Sequence, residues 1–187
     1  MAGNSETTKL KILSTATDEF ATYGFAGARV DRIAANAECN KQLIYAYFGS
    51  KQGLFDAVAE THIKAVLDAV PIDATNLPEY AAKLFDYNYA HPQLIRLVEW
   101  YNLEGINSPT VVNLTNQSMA EKLEAIQEAQ NTGAIKSKMP AEQLLALVLA
   151  ISNTWSGNIH NLQAEDNDKT YKVQRKSIIE AIKRLVN

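Results

Sequence analysis

The sequence predicts an all-α fold of about nine helices. Apolar residues recur at intervals of three and four along most of the chain, which is the period of one helix face. The 8 glycines and 5 prolines stand mainly at the ends of these periodic segments, where helices stop. The alternation of apolar and polar residues that indicates a strand does not occur, and β-branched residues do not cluster in short runs.

The composition is that of a globular protein, with 187 residues, 47% of them hydrophobic, 21% charged, and a net charge of −3. The longest apolar run lies within residues 144–152, far short of the roughly 20 residues of a membrane span. The start of the chain lacks the apolar core of a signal peptide, so we expect a cytoplasmic protein with no membrane partner. The single cysteine, Cys39, excludes an internal disulfide and a zinc site built on cysteine pairs.

Four helices are predicted in the first 70 residues. Ser5 is a favourable N-cap for the first helix, and Gly24 is expected to end it. Gly49 is expected to end the third helix, Ser50 to cap the fourth, and Pro71 to terminate it. These helices are predicted over about residues 7–23, 29–36, 40–48 and 51–70.

Five further helices are predicted in the rest of the chain. Asn76 and Ser108 are predicted N-caps, and Pro92 and Pro109 suit the first helical position. Gly133 is a predicted stop, and a polar turn near residue 164 separates the last two helices. These helices are predicted over about residues 77–90, 92–105, 109–132, 140–164 and 169–186.

The second and third predicted helices have the proportions of a helix-turn-helix. Leu43, Ile44 and Phe48 are predicted to anchor the third helix inward. Glutamine can bond adenine, lysine can bond guanine or phosphate, and tyrosine can bond phosphate. Arg29 begins the second helix, where backbone N–H groups point at anions. The side chains left outward are Lys41, Gln42, Tyr45 and Ala46, with Tyr47 near the boundary.

The same pattern also fits a helix pair that binds no nucleic acid, because exposed lysine, glutamine and tyrosine are common on any helix surface. The net charge of −3 excludes a broad basic field over the whole chain. Binding to DNA would therefore depend on a few placed cations.

Residues 10–58 carry a dense set of apolar, aromatic, glycine and lysine positions. They are Ile12, Leu13, Ala16, Phe20, Ala21, Gly24, Phe25, Val30, Ile33, Ala34, Ala37, Leu43, Ile44, Tyr45, Tyr47, Phe48, Ser50, Lys51 and Leu54. In this order and spacing they resemble the DNA-binding region of the TetR family of bacterial transcriptional regulators. The matching region is about a quarter of the chain. The remainder is similar to the family only in architecture.

The resemblance implies two domains, a helix-turn-helix DNA-binding domain over residues 1–50 and a helical ligand-binding and dimerisation domain over residues 51–187. It implies that Lys51, at the start of the fourth helix, contacts a DNA phosphate. Arg29 falls where the family has a serine or threonine that contacts phosphate. The recognition-helix contacts that it implies are Lys41, Gln42, Tyr45 and Tyr47.

The chain departs from the family pattern around the second helix. Ala28 stands where the family has a threonine that caps this helix, a loss of about 1 kcal/mol. Glu38 replaces a glycine, so we expect strain if the turn keeps a positive φ. Cys39 is also unusual there, whereas Asn40 still suits the N-cap of the third helix. These changes bear on the affinity for the operator more than on the fold.

The helix predicted from residue 140 is apolar on two sides, and a helix of that kind must bury both. One side can face the chain's own core, and the other can face a second copy. The last helix also has an apolar face, so both helices could equally complete the core of one chain. The family architecture favours a homodimer interface, with Leu145, Leu149, Ile159, Leu162, Ile178, Ile182 and Leu185 as its candidate residues.

The middle helices carry aromatic residues at helical spacing, which suit either a solid core or an apolar ligand cavity. Given the resemblance, a cavity for a small-molecule effector is the favoured interpretation. Its candidate lining residues are Tyr87, Leu97, Trp100, Tyr101, Glu104, Leu123, Asn153 and Trp155.

The sequence contains none of the common catalytic motifs, and its three histidines are not at metal-ligand spacing. We therefore expect no enzyme activity, no cofactor and no metal site. The favoured function is a ligand-responsive repressor that binds a palindromic double-stranded operator as a homodimer. Two alternatives stay open. One is a constitutive DNA-binding protein without an effector, and the other is a helical small-molecule-binding protein or enzyme that has lost DNA binding.

Overall fold

The computed structural model of the protein describes residues 2–155 and 168–187. Within these residues there are nine α-helices, one short 3₁₀ helix (Ala74–Asn76) and no strand, which confirms the predicted all-α fold. None of the described helices is long and apolar enough to cross a membrane. The helices are α1 (Ala2–Gly27), α2 (Val30–Asn36), α3 (Lys41–Phe48), α4 (Lys51–Ala69), α5 (Leu77–Ala90), α6 (Pro92–Leu103), α7 (Pro109–Asn131), α8 (Ala141–Ser152) and α9 (Asp168–Val186).

The chain forms two compact units. The first unit comprises Met1–Ala65 and Gln93–Leu114, and the second comprises Val66–Pro92 and Thr115–Asn187. The division falls within α4. Residues of α6 and the start of α7, which were predicted to lie in the C-terminal domain, belong to the same compact unit as the helix-turn-helix.

The first unit has an aromatic core. Phe55 of α4 packs edge-on against Phe20, with ring centroids 5.2 Å apart, and against Phe25 at 5.5 Å. Edge-to-face contacts of this kind add to the hydrophobic stabilisation from burying each ring. Other fully buried side chains of this unit are Ile12, Ile33, Ile44 and Leu54.

Gly24 breaks α1 and cannot be replaced without local change. Its φ of 70° and ψ of 178° are essentially restricted to glycine. A Cβ atom there would lie 2.8 Å from Cε3 of Trp100. The predicted stop at Gly24 is thus a break within a longer helix. That helix begins at Ala2, so Ser5 lies inside it and is not an N-cap.

The second unit is held by α5, α8 and α9, with part of α7. Its core combines aromatic and aliphatic side chains from all four helices. Phe85 of α5 stacks against Tyr171 of α9 with ring centroids 5.5 Å apart. The other fully or almost fully buried residues include Leu77, Tyr80, Ala81, Ile126, Leu144, Val148, Ile178 and Ile182.

A polar network joins α5 to α9 beside this core. Nε of Arg175 donates to both carboxylate oxygens of Asp86, at 3.1 and 3.0 Å, and Nη2 donates to Glu79 at 2.8 Å. The hydroxyl of Tyr171 donates to Asp86 at 2.6 Å. Burial, together with this hydrogen bond, raises the pKa of Tyr171 to about 12. The guanidinium group therefore neutralises two carboxylates that would otherwise repel each other.

Most predicted helix ends match the structure. Side chains of Asn76 and Ser108 accept hydrogen bonds from the first turns of α5 and α7, as predicted. The predicted extent of the eighth helix is wrong, because α8 ends at Ser152 and Asn153 is its C-cap. Residues 153–155 form a turn, and residues 156–167 lie outside the described part of the chain.

The Arg175 network yields a stability prediction. Arg175→Ala should lower the free energy of unfolding by about 1–3 kcal/mol, because it leaves Asp86 and Glu79 without their shared cation. Lys172→Ala is the matched control, since Lys172 pairs with Asp168 on the same helix with its side chain 71% exposed. It should change the free energy by less than about 0.5 kcal/mol. Urea denaturation measures both, and equal effects would contradict the prediction.

Candidate DNA-binding surface

The third helix is fixed at both ends and on one face. The side chain of Asn40 accepts a hydrogen bond from the backbone N–H of Leu43 at 2.7 Å, so Asn40 is the predicted N-cap. Ile44 is fully buried, and Gly49 ends the helix with a φ of 74°. Leu43 and Phe48, predicted to be core, are only half-buried. Fewer side chains of α3 are therefore fully buried than its apolar sequence suggested.

The start of α2 is secured by a carboxylate from another helix. Its N-cap residue is Arg29, one position after the cap expected at Ala28, and it makes no side-chain capping bond. The buried carboxylate of Glu19 instead accepts the backbone N–H of Arg29 at 2.7 Å and Nε of Arg32 at 2.9 Å. A negative group here also complements the positive end of the helix dipole. Glu19 was not among the predicted site residues, although a glutamate on the buried face of α1 signalled a buried polar contact.

The turn between α2 and α3 contains the unusual backbone geometry predicted for Glu38, whose φ is 56°. The N–H of Cys39 bonds to the carbonyl of Ala34 at 3.0 Å, and the N–H of Glu38 bonds to that of Ala35 at 3.2 Å. This pair of bonds is the Schellman motif, which normally has glycine at the positive-φ position. The Glu38 carboxylate pairs with Lys11 of α1 at 2.5 Å, and the ion pair lowers the pKa of Glu38.

The outward face of α3 presents the side chains that suit base contacts. Gln42 is exposed, and Tyr45 is 39% exposed. Lys41 lies at the first position of the helix, and its Nζ is 3.0 Å from a carboxylate oxygen of Asp31. The hydrogen bond to Asp31 raises the pKa of Lys41. The face therefore combines two accessible polar side chains with a cation that is already paired.

Tyr47 and Lys51 lie at the margin of this face. The hydroxyl of Tyr47 is hydrogen-bonded to Oγ of Ser5 at 2.8 Å. The Nζ of Lys51 donates to the carbonyl of Ala26 at 3.3 Å and lies 4.9 Å from the ring centroid of Phe25. Both polar groups thus have partners within the first unit.

The start of α4 is built around Ser50, which caps it as predicted. Its Oγ accepts the backbone N–H of Gly53 at 3.0 Å. A Cβ atom on Gly53 would collide with the carbonyl oxygen of Phe48, so α3 and α4 approach each other more closely than a side chain there would allow. Gly53 was not among the predicted site residues. A glycine in the first turn of a helix was its available signal.

The eight predicted pocket residues fall into both compact units. In the first unit, Nε1 of Trp100 donates to the carbonyl of Ala21 at 3.3 Å, and Glu104 accepts the N–H of Ala26 at 2.9 Å. Tyr101 stacks parallel to Phe55, with centroids 6.4 Å apart. The fourth residue of this unit, which is buried, is Leu97.

In the second unit, the side chain of Asn153 accepts a hydrogen bond from the buried Asn88 at 2.6 Å. Tyr87 lies 4.5 Å from the ring of His91, and burial raises the pKa of Tyr87. Two further predicted pocket residues pack against the core of this unit while partly exposed. They are Leu123 and Trp155.

A cavity of about 260 Å³ lies within the first unit, beside α1, α4 and the start of α6. Its lining includes Leu13, Asp18, Val58 and His62, and Nε2 of His62 is 2.9 Å from the hydroxyl of Thr17. None of the predicted pocket residues lines this cavity. The described residues contain no group of three or more His, Cys, Asp or Glu side chains that could hold a metal ion.

The predicted dimer residues are mostly inside the chain's own core. Leu145, Ile178 and Ile182 are at most 4% exposed in a single chain, so they have almost no surface for a second copy. Each faces neighbouring helices of the same unit, which periodicity could not distinguish from a partner. Leu149 and Leu185 are half-buried against that core. Two further candidates lie outside the described residues, namely Ile159 and Leu162.

Two family models match this chain. The model described as bacterial regulatory proteins of the tetR family matches residues 12–58. The model described as the tetracyclin repressor-like C-terminal domain matches residues 76–184. The first covers α2 and α3 with most of α1, and the second covers most of the remaining helices.

Known proteins agree with these models. The chain is 40% identical over 153 residues to the HTH-type transcriptional repressor SCO4008 of Streptomyces coelicolor, covering 81% of this chain and 80% of the relative. It is 26% identical over 175 residues to the repressor NicS of Pseudomonas putida, covering 87% and 82%.

Solved structures give the same result. The regulator SCO4942 of Streptomyces coelicolor has a TM-score of 0.81 and 33% identity, covering 95% of this chain and 97% of its own. FadR of Bacillus subtilis, solved in complex with stearoyl-CoA, shares the fold with a TM-score of 0.67 at 17% identity, covering 92% and 96%. From the two family models and these relatives, the chain belongs to the TetR family of bacterial helix-turn-helix transcriptional regulators.

Proposed function

We propose that this TetR-family repressor binds a palindromic operator as a homodimer and leaves it when a small-molecule effector binds. The observation that carries the DNA-binding part is the two-sided character of α3. Its inner residue Ile44 is fully buried, while Gln42 and Tyr45 are exposed. A helix held in this way can enter the major groove and present the same side chains at each half-site.

Six side chains are assigned to the DNA. Gln42 and Tyr45 contact base edges and the adjoining backbone, because they are the accessible groups of α3. Lys41 exchanges its contact with Asp31 for a base or a phosphate. The remaining contacts are to phosphates, and they come from Arg29, Tyr47 and Lys51.

The effector site is assigned to the second unit. The match of residues 76–184 to a tetracyclin repressor-like C-terminal domain supports it, as does the acyl-CoA complex of FadR. Nε1 of Trp100 and one carboxylate oxygen of Glu104 are already hydrogen-bonded to backbone groups of α1. Tyr87, Asn153 and Trp155 lie in the second unit and are the candidates proposed for the site wall.

Homodimerisation is assigned to the outward faces of α8 and α9. In a single chain Leu147 is 39% exposed and Val173 is 59% exposed, in contrast to the buried residues first predicted. Ala146 and Ala150 flank Leu147 on the exposed side of α8, where small side chains allow close helix approach. Two such faces from two chains form a four-helix interface, and a two-fold dimer matches a palindromic operator.

The deciding experiment is selection of binding sites from random DNA duplexes with the full-length protein. Enrichment of a palindrome supports both operator binding and the dimer. Enrichment that no small molecule reverses favours the constitutive alternative. Absence of any sequence-specific, salt-sensitive binding favours a helical binding protein or enzyme that has lost DNA binding.

Two substitutions separate phosphate contacts from base contacts. Lys51→Ala should weaken binding to all duplexes alike and reduce the salt dependence by about 1 ion per protomer. Gln42→Ala should cost about 1–3 kcal/mol on the selected operator and relax the preference at one base pair. Fluorescence anisotropy at several salt concentrations measures both. Lys172→Ala, a lysine of α9, is the control that should bind like the wild type. A Gln42→Ala protein with unchanged sequence preference would refute the assignment.

The strained turn yields a paired prediction. Glu38→Gly should raise Tm relative to Glu38→Ala by about 2–4 °C, because both lose the Lys11 pair but only alanine keeps a Cβ at positive φ. Both variants remove a negative charge beside the DNA, so both should bind the operator more tightly than the wild type. Calorimetry and anisotropy supply the two measurements. Equal Tm values for the two variants would show that the turn is not strained.

The dimer assignment predicts the effect of a buried charge. Leu147→Glu should raise the dimer dissociation constant at least about 100-fold, because the carboxylates of two copies would face each other in an apolar interface. Leu103→Glu is the matched control, since Leu103 is 79% exposed and lies in the first unit. Analytical ultracentrifugation measures the dimer dissociation constant of both variants. A Leu147→Glu dimer of wild-type stability would exclude this face.

A further inference from the structure

Lys122 is a buried lysine on α7, with only 7% of its surface exposed. Its ammonium group donates a hydrogen bond to Oγ of Ser118, one turn earlier on the same helix and also buried. Ile126 and Ala129 continue the same helix face and belong to the core of the second unit. The inward face of α7 thus changes from apolar to polar at Lys122.

The charge of Glu121 acts on this lysine, but the described residues supply no ion-pair partner for it. No carboxylate of those residues forms an ion pair with it, in contrast to Arg175, which pairs with two. An ammonium group has three donor hydrogens, and the described residues supply Ser118 as its acceptor. Burial lowers the pKa of Lys122, and the neighbouring Glu121 opposes this only in part.

A lysine in this position lowers the free energy of unfolding. A buried charge without a partner is less favourable than an apolar side chain of similar size, and methionine would fill the same space without that cost. Buried charges of this kind are therefore retained where they serve a function. Functional sites are the usual places where a protein is less stable than its fold allows.

We propose that Lys122, with Ser118, binds the carboxylate of an organic-acid effector. An ammonium group offers only donors, so it attracts an anion and repels a cationic ligand. One positive charge matches a monoanionic carboxylate, whereas a dianionic phosphate would leave a buried charge unbalanced. This inference rests on the proposed function, because it names the effector class of the same second unit.

The first test needs no ligand. Lys122→Met should raise Tm of the full-length protein by roughly 2–8 °C, because it removes the unpaired buried charge. Lys176→Met, at an exposed lysine of α9, is the matched control and should shift Tm by less than about 2 °C. A Lys122→Met protein with a lower Tm than the wild type would show that the lysine is structural and would overturn the proposal.

The second test uses octanoate and benzoate as probes, with octanamide and benzamide as their neutral counterparts. The two carboxylates should raise Tm of the wild type and of Lys176→Met, and the amides should not. Lys122→Met should lose this response, with at least about a tenfold weaker apparent affinity. Equal responses to acid and amide, or no response of the wild type to either acid, would overturn the proposal.

Operator binding of the wild type is measured alongside these shifts. A wild-type protein that binds an operator but ignores both carboxylates refutes the anion site alone. A wild-type protein that binds no operator refutes the proposed function, while a carboxylate response lost in Lys122→Met would still support an anion site at this lysine.

Discussion

The buried carboxylate of Glu19 holds the DNA-binding region together, because it connects α1 to the start of α2. It accepts the backbone N–H of Arg29 and the guanidinium of Arg32, so one side chain replaces a missing helix cap and forms an ion pair. The direction of α2 fixes the turn at Glu38, and that turn fixes α3. An error of a few degrees at the start of α2 would be carried to every base contact proposed for α3.

Charge is distributed sparingly over the surface assigned to DNA. Lys41 is paired with Asp31 and Lys11 with Glu38, so two of the nearby cations are already neutralised within the chain. In the proposed complex, binding to DNA would exchange one carboxylate for a phosphate or base. Exchange releases less free energy than the pairing of a free cation, and it disfavours duplexes that offer only a backbone. Discrimination would then depend on the uncharged contacts of Gln42 and Tyr45.

Local signals in the sequence predicted most of the helices and several of their ends. Asn40, Ser50, Asn76 and Ser108 cap the helices as expected, because a cap depends on residues only three positions apart. The positive φ at Glu38 was expected from the glycine that the family resemblance places at this position. In these cases the physical cause lies within one turn of the chain.

Contacts between distant residues could not be predicted in this way. Glu104 binds the backbone of Ala26, which is 78 residues away, and no local pattern signals such a contact. Periodicity identified an apolar face on α9, but it could not tell whether the same chain or a second copy covers it. Ile178 and Ile182 were therefore assigned to a dimer although their own chain buries them. Lys122 was passed over because its sequence neighbours resemble an ordinary charged helix face.

Gly24 limits which amino-acid substitutions this protein can accept during evolution. Two independent requirements meet at one residue, a backbone conformation open to glycine alone and a space that the Trp100 ring already fills. A smaller residue at position 100 would make room for a side chain, yet the backbone requirement would remain. No single compensating substitution can free position 24, so its neighbours on α6 are expected to vary only around a fixed glycine.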